Sequence, residues 1–244
     1  MIRAIFFDIG STLVTGPGVG VASRIASKLG LTEFQKEKIN WALMTRPFYS
    51  AVEAATYLRN ELGVAAGGVE HIVDEVWRAQ LYEAHVIDGA VECVQSWANA
   101  GADICLISNI WRPYQMSAIE ALGPALQSII PVERRLYSYA AGAAKPEPAI
   151  FLKALQLVGC EPSEAVMIGD SYREDIAPSA ALGLKTVWVL RRAEREIANL
   201  TSVLNHQTVA PDMAVASVAD FTVEKWRNFD LKSQSALRAT QKEM

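Results

Sequence analysis

The stretch "FFDIGSTLV", residues 6–14, decides how the rest of the chain reads. An apolar, β-prone run that begins at Ile2, "IRAIFF", ends in a carboxylate at Asp8, and the Gly/Pro-rich "TGPGVG" of residues 15–20 then breaks the chain. The pattern predicts a buried strand that delivers Asp8 to its carboxyl end, followed by a mobile loop.

From residue 21 to about residue 87 the apolar residues recur at helical spacing, as in Val52, Ala55, Leu58 and Leu62 and again in Ile72, Val73, Val76 and Trp77. Turn signals at Gly30, Pro47 and Gly67-Gly68 divide this stretch, which reads as an all-helical insert. After Asp88-Gly89 helices and short apolar runs alternate. A helix at Ala90–Asn99 precedes strand "ADICLIS", one near residues 115–122 precedes "RLYS", and one at Pro148–Val158 precedes "AVMIGD". A last helix over residues 176–182 leads to "KTVWVL", and "ADFTV" near Asp220 is expected as a final edge strand. This alternation predicts an α/β fold with a parallel sheet covered on both faces. Right-handed crossovers place every strand's carboxyl end on one edge, where open α/β sheets bind ligands. The final "LKSQSALRATQKEM" is polar and reads as a surface helix or frayed tail.

With 244 residues, 51% of them hydrophobic, the chain can bury a full core. Its net charge of −4 and scattered basic residues give no cationic face, so no nucleic-acid partner is expected. The first apolar run stops at Asp8, too early for a secretory signal, and no later run reaches membrane-span length; a cytoplasmic protein with no membrane partner is expected. Cys93, Cys105 and Cys160 are isolated in apolar settings and read as buried thiols. His71, His85 and His206 show no zinc spacing.

Asp8, Ser108-Asn109 and Asp170 each fall just past a strand, and Lys145-Pro146 lies in a loop. Singly, such residues are usually caps, turns or solvated helix entrances. Together they describe a phosphate-handling site. Paired carboxylates hold Mg²⁺, a serine hydroxyl and helix-opening N–H groups bind phosphate oxygens, and a lysine supplies a point charge.

With these residues in view the chain resembles the haloacid-dehalogenase-like (HAD) hydrolase superfamily, over residues 2–15 and 88 to about 220. Four motifs match in order: "FFDIGSTL" with Asp8 and Thr12, "CLISN" with Ser108, "SYAAGAAKPEPAIF" with Lys145, and "VMIGDSYREDI" with Asp170 and Asp175. The resemblance implies a Rossmann-like core (1–15 and 88–225), an inserted all-helical cap of the superfamily's first type (16–87) and a C-terminal tail (226–244). It also implies that Asp8 attacks phosphorus to form an aspartyl-phosphate. Asp8, the Gly10 carbonyl and Asp170 would ligate Mg²⁺, with Asp175 acting one step out, on metal waters or Lys145. Ser108, Asn109 and Lys145 would hold the phosphoryl group of a small phosphorylated substrate.

Most phosphatases of the superfamily carry aspartate two places after the nucleophile, where it protonates the leaving oxygen and later activates water. Here that place is Gly10. A positioned general acid or base is worth roughly 10²–10⁴-fold in rate. The leading expectation is a Mg²⁺-dependent phosphatase that acts on a good leaving group or takes its proton from substrate, water or cap; His71 and His85 are cap candidates. The alternatives are a metal-independent haloacid dehalogenase, a phosphonatase using a Schiff base on Lys28, Lys36 or Lys38, and a phosphate-binding protein without turnover. Arg46, Tyr49, Arg59 and Trp77 of the insert, and Trp111, Arg112 and Tyr114 after Ser108, are candidate substrate contacts, although packing or a surface ion pair is the simpler role for Trp111, Arg112 and Tyr114.

Overall fold

The computed structural model describes the backbone of residues 2–16 and 18–242, and the side chains of 2–16 and 18–232. In chain order, β1 (Ala4–Phe7) and the two-residue β2 (Val14–Thr15) precede α1 (Val21–Leu29), α2 (Glu33–Thr45), α3 (Ala51–Asn60), α4 (Val69–Gln80) and β3 (His85–Val86). Then come α5 (Ala90–Asn99), β4 (Asp103–Ser108), α6 (Arg112–Ile129), β5 (Arg135–Tyr137), α7 (Ser138–Ala141) and α8 (Pro148–Val158). The chain closes with β6 (Ala165–Gly169), α9 (Ala177–Ala181), β7 (Lys185–Val189), α10 (Ile197–Leu204), β8 (Met213–Val215) and α11 (Val223–Lys242).

Six strands form one sheet in the order β5-β4-β1-β6-β7-β8, and every neighbouring pair is parallel. Successive side chains of a strand point to opposite faces, so "AIFF" must be apolar throughout when both faces are covered. Ile5 and Phe7 join Ile104, Leu106, Val166 and Ile168 in the core under α5 and α6. Ala4 and Phe6 join Cys105, Ile107, Ala165 and Met167 in the core under α8. Phe6 and Phe7 are wholly buried, each contributing about 1.5–3 kcal/mol. The Rossmann-like α/β architecture is therefore present.

The segment read as an insert holds four helices, and their ends follow local chemistry. Gly30 ends α1 in the left-handed conformation (φ 63°), and Thr32 with Gln35 makes a capping box at the start of α2. The segment is not helical to its end. His85–Val86 pairs antiparallel with Val14–Thr15, tying together the chain segments that enter and leave the helices. Of the stripe expected on α3, Ala55 and Leu58 are buried and Leu62 packs against the core, while Val52 is 70% exposed and Ala51 and Ala54 complete the buried face in its place.

Three expectations farther along shift. The helix expected over residues 115–122 starts earlier, at Arg112, and its first part ends at Gly123 (φ 74°) before Pro124, which cannot donate a helical hydrogen bond. The helix expected from residue 176 is preceded by a π-helical turn, Tyr172–Ile176. "ADFTV" is not the edge strand; β8 at Met213–Val215 takes that place beside β7. Residues Val218–Asp220 instead form a 3-10 turn capped by Ser217, and Phe221 is buried against Trp97, the ring centroids 4.8 Å apart. The apolar signal there marked a core plug. Trp226, in the first turns of α11, joins the same cluster, so residue 226 lies inside a packed helix. The side chains of the tail from residue 233 onward, and Pro17 of the glycine-rich loop, lie outside the described residues. Among the described residues no helix is long and apolar enough to cross a membrane.

Candidate active site

β1 lies between β4 and β6, so the residues that follow these three strands are spatial neighbours. The chain fills the sheet on one side of β1 with β4 and β5, then crosses to the other side for β6, β7 and β8. Such a reversal leaves a crevice at the carboxyl end of the central strand. A cavity of about 340 Å³ opens there, and its walls include Asp8, Gly10, Ser108, Asn109, Lys145, Asp170 and Asp175. Residues spread over more than 160 positions of sequence thus meet at one sheet edge.

Lys145 is the hub. Its side chain is 1% exposed, and its ammonium donates to Asp8 Oδ1 at 2.7 Å and to Asp175 Oδ1 at 2.5 Å. Burial alone would lower the Lys145 pKa, but the adjacent carboxylates of Asp175 and Asp8 outweigh it and hold the amine protonated, above its ordinary range. Asn109 fixes the lysine's backbone from both sides. Its Oδ1 accepts from the Lys145 N–H at 2.8 Å, and its Nδ2 donates to the Lys145 carbonyl at 2.7 Å and to Glu174 Oε2 at 3.1 Å. The Asn109 side chain is therefore committed to the lysine, leaving its backbone N–H as the group it can offer a ligand.

Asp8, Asp170 and Asp175 are all buried and can each place one oxygen within 4.8 Å of the other two. At an effective dielectric of about 20, like charges at that separation repel by about 3 kcal/mol per pair, more than one lysine offsets comfortably. The strain appears in their protonation: burial first, and then the charge of Asp8, raises Asp170 to about 6, while burial drives Asp175 well above the usual carboxylate range. An all-oxygen set of this kind suits a hard divalent cation. The four groups put forward for the metal are unequally available. Asp175 has both oxygens engaged, Oδ1 by Lys145 and Oδ2 by the Ser171 N–H at 3.0 Å. Asp8 and Asp170 each keep one carboxylate oxygen free of protein donors, and among the described residues the Gly10 carbonyl has no donor.

Two glycines shape the site in opposite ways. At Gly169 a Cβ would fall 2.2 Å from the Asp175 carboxyl, so only glycine lets that carboxylate lie against β6. At Gly10 a Cβ would meet nothing within 4 Å, so the missing side chain leaves open space facing the cavity.

The expected contacts from the helical segment lie elsewhere. Arg46 stacks on Tyr57, Arg59 pairs with Glu70, Tyr49 lies under Arg112, and Trp77 packs edge-on against Trp111. His71 and His85 are exposed and line no part of the cavity, so neither is placed to replace the lost acid. Val21, Met44 and Gln80 line it instead. Gln80 is 2% exposed and accepts from Trp111 Nε1 at 2.7 Å, joining the helical segment to the loop after Ser108. Tyr114 also faces the cavity, its hydroxyl donating to the Thr15 carbonyl at 2.8 Å. The sequence reading missed Glu174, Arg192, Arg195 and Glu196, which complete the wall. The signal was there: "RRAERE" follows "KTVWVL" at the same strand-end edge that singled out Asp8.

A doubly wound parallel sheet that brings a carboxylate, a serine, a lysine and an acidic pair to one crevice defines an α/β enzyme with a carboxylate-centred site. The family described as haloacid dehalogenase-like hydrolase matches residues 2–183, and the chain belongs to that family of hydrolases. It is 28% identical over 205 residues to ribulose-1,5-bisphosphate 5-phosphatase of Halopiger xanaduensis, covering 77% of this chain and 84% of the relative. It is 25% identical over 208 residues to N-acylneuraminate-9-phosphatase of Rattus norvegicus, covering 77% of this chain and 82% of the relative. The fold is shared with 2-haloacid dehalogenase of Pseudomonas syringae pv. Tomato at a TM-score of 0.58 and 19% identity, over 90% of this chain and 96% of that one.

Proposed function

We propose that the protein is a Mg²⁺-dependent phosphatase that hydrolyses a small phosphorylated metabolite through an aspartyl-phosphate on Asp8. The observation that carries this reading is the buried Lys145 ammonium held between Asp8 and Asp175, beside an Asp170 carboxylate that pairs with Arg192 through one oxygen and keeps the other free of protein donors. Three carboxylates packed this closely are better balanced with a divalent cation among them than without one, which favours a metal-dependent reaction over a metal-free dehalogenase. Both sequence relatives are named as phosphatases, which favours the same reading.

Asp8 would attack phosphorus while the P–O bond to the leaving group breaks, and water would then cleave the acyl phosphate, releasing inorganic phosphate and restoring the carboxylate. Lys145 lowers the repulsion between Asp8 and the incoming dianion and holds the attacking oxygen in place. The Ser108 hydroxyl and the Asn109 backbone N–H would bind the transferring phosphoryl oxygens. Asp8, Asp170 and the Gly10 carbonyl would hold Mg²⁺, which supplies positive charge against the phosphate oxygens. Gly10 offers no proton, so the leaving oxygen must depart as a stable anion or take its proton from substrate or water. The helices α1–α4 would act as a cap over the crevice, with the glycine-rich loop before α1 as its hinge.

The test is hydrolysis of acetyl phosphate and p-nitrophenyl phosphate by wild type and Asp8→Asn, with Mg²⁺ and with EDTA. Turnover that needs both Asp8 and Mg²⁺ is expected. Folded protein that releases chloride from a 2-haloacid in EDTA, and no phosphate from either ester, would overturn the proposal.

A further inference from the structure

We infer that Arg192 and Arg195, on the loop between β7 and α10, form a subsite for a second anionic group, so that the preferred substrate carries a carboxylate or a second phosphate beside the phosphate to be cleaved. The inference rests on the proposed phosphatase activity only for the identity of the first group.

Both arginines line the cavity that holds Asp8. Arg192 donates from Nε (3.1 Å) and Nη2 (2.5 Å) to a single oxygen, Asp170 Oδ2, which points its guanidinium across the site. Arg195 donates from Nη2 to the Gly18 carbonyl at 2.7 Å, bridging from the core to the glycine-rich loop. The carboxylates in the same wall already have partners. Asp175 accepts from Lys145 and from the Ser171 N–H, Glu174 accepts from Asn109 Nδ2 at 3.1 Å, and Glu196 accepts from Asn199 Nδ2 at 2.7 Å. The arginines are less fully engaged. Among the described residues Nη1 of Arg192, and Nε and Nη1 of Arg195, have no protein acceptor. Two guanidinium groups that line one cavity and keep donors without a protein acceptor are suited to a carboxylate or phosphate, which guanidinium donors match in geometry. Lys145 cannot serve this second group, because its ammonium is shut between Asp8 and Asp175.

A matched pair of probes isolates the effect: 3-phosphoglycerate and glycerol 3-phosphate, which are alike in size and differ by one carboxylate. Binding of each to Asp8→Asn is measured by calorimetry in Mg²⁺, with and without Arg192→Gln and Arg195→Gln. The expected result is roughly tenfold or tighter binding of 3-phosphoglycerate over glycerol 3-phosphate, the ratio falling to about two or three when both arginines are replaced. Inorganic phosphate serves as a further control, and the two arginine substitutions should weaken it less than they weaken 3-phosphoglycerate. Equal affinity for the two esters, a preference that survives both substitutions, or no binding of either ester would overturn the inference. Hydrolysis of acetyl phosphate and p-nitrophenyl phosphate by the wild type is read separately. A carboxylate preference without any phosphate release would remove the proposed activity and leave the subsite standing.

Discussion

Replacing Gly10 by aspartate adds the carboxylate that the site lacks, and the structure sets the terms of the change. A Cβ there meets nothing within 4 Å, so the side chain starts into open space. It carries an electrostatic cost, because the new carboxylate joins Asp8, Asp170 and Asp175 around a single lysine. At 5 Å and an effective dielectric of about 20, one more like-charge pair costs about 3 kcal/mol, which raises the newcomer's pKa and favours the protonated acid that a leaving group needs. A well-placed acid lowers the barrier by about 3–5 kcal/mol, or roughly 10²–10⁴-fold in rate; an unrefined one should give about tenfold. The gain should fall on poor leaving groups only. The assay compares kcat for glycerol 3-phosphate, whose alkoxide needs a proton, with kcat for acetyl phosphate, whose carboxylate does not. The ratio should rise about tenfold in the variant. A folded variant with an unchanged ratio would refute the argument that Gly10 limits the enzyme to good leaving groups.

Lys145→Met should destabilise the protein by about 3–5 kcal/mol in urea unfolding, because it strands buried carboxylates at Asp8 and Asp175, and it should abolish phosphate release. Gly169→Ala should push the Asp175 carboxyl off β6; a loss of about 1–3 kcal/mol and of most Mg²⁺-dependent activity is expected, and wild-type behaviour in both assays would count against the placement of Asp175. Burial pushes the thiols of Cys93 and Cys105 up to about 12, and Cys160 is raised as well but only half-buried. Iodoacetamide at pH 8 should therefore label the native protein slowly and at Cys160 first, as peptide mass spectrometry would show; rapid labelling of Cys105 would contradict the packing of β4.

The sheet was legible in the sequence because a strand covered on both faces must be apolar at every position, as in "AIFF" and "AVMIG", and because each such run ended in a polar residue. The strand-end rule then located Asp8, Ser108 and Asp170 without any knowledge of their contacts. It failed where apolarity served another purpose: Phe221 fills a core gap beside Trp97, and the true edge strand, with no fully buried position, carries a weak signal. Arg192 and Arg195 were passed over because a run of charges after a strand reads as a solvated turn until the fold turns it toward the cavity. The contacts across the helical segment were the least legible. Gln80 is one polar residue in an amphipathic helix, and only the packing of α4 against the loop carrying Trp111 shows that it is buried.

The central claim is that Asp8 carries the phosphoryl group. The direct measurement is to quench the wild type in acid during turnover of acetyl phosphate, reduce with sodium borohydride, and sequence the peptide containing residues 4–15 by mass spectrometry. An acyl phosphate is reduced to the alcohol, so homoserine at position 8, and at no other aspartate, is the predicted result. Unmodified Asp8 in protein that is turning over substrate would contradict the account.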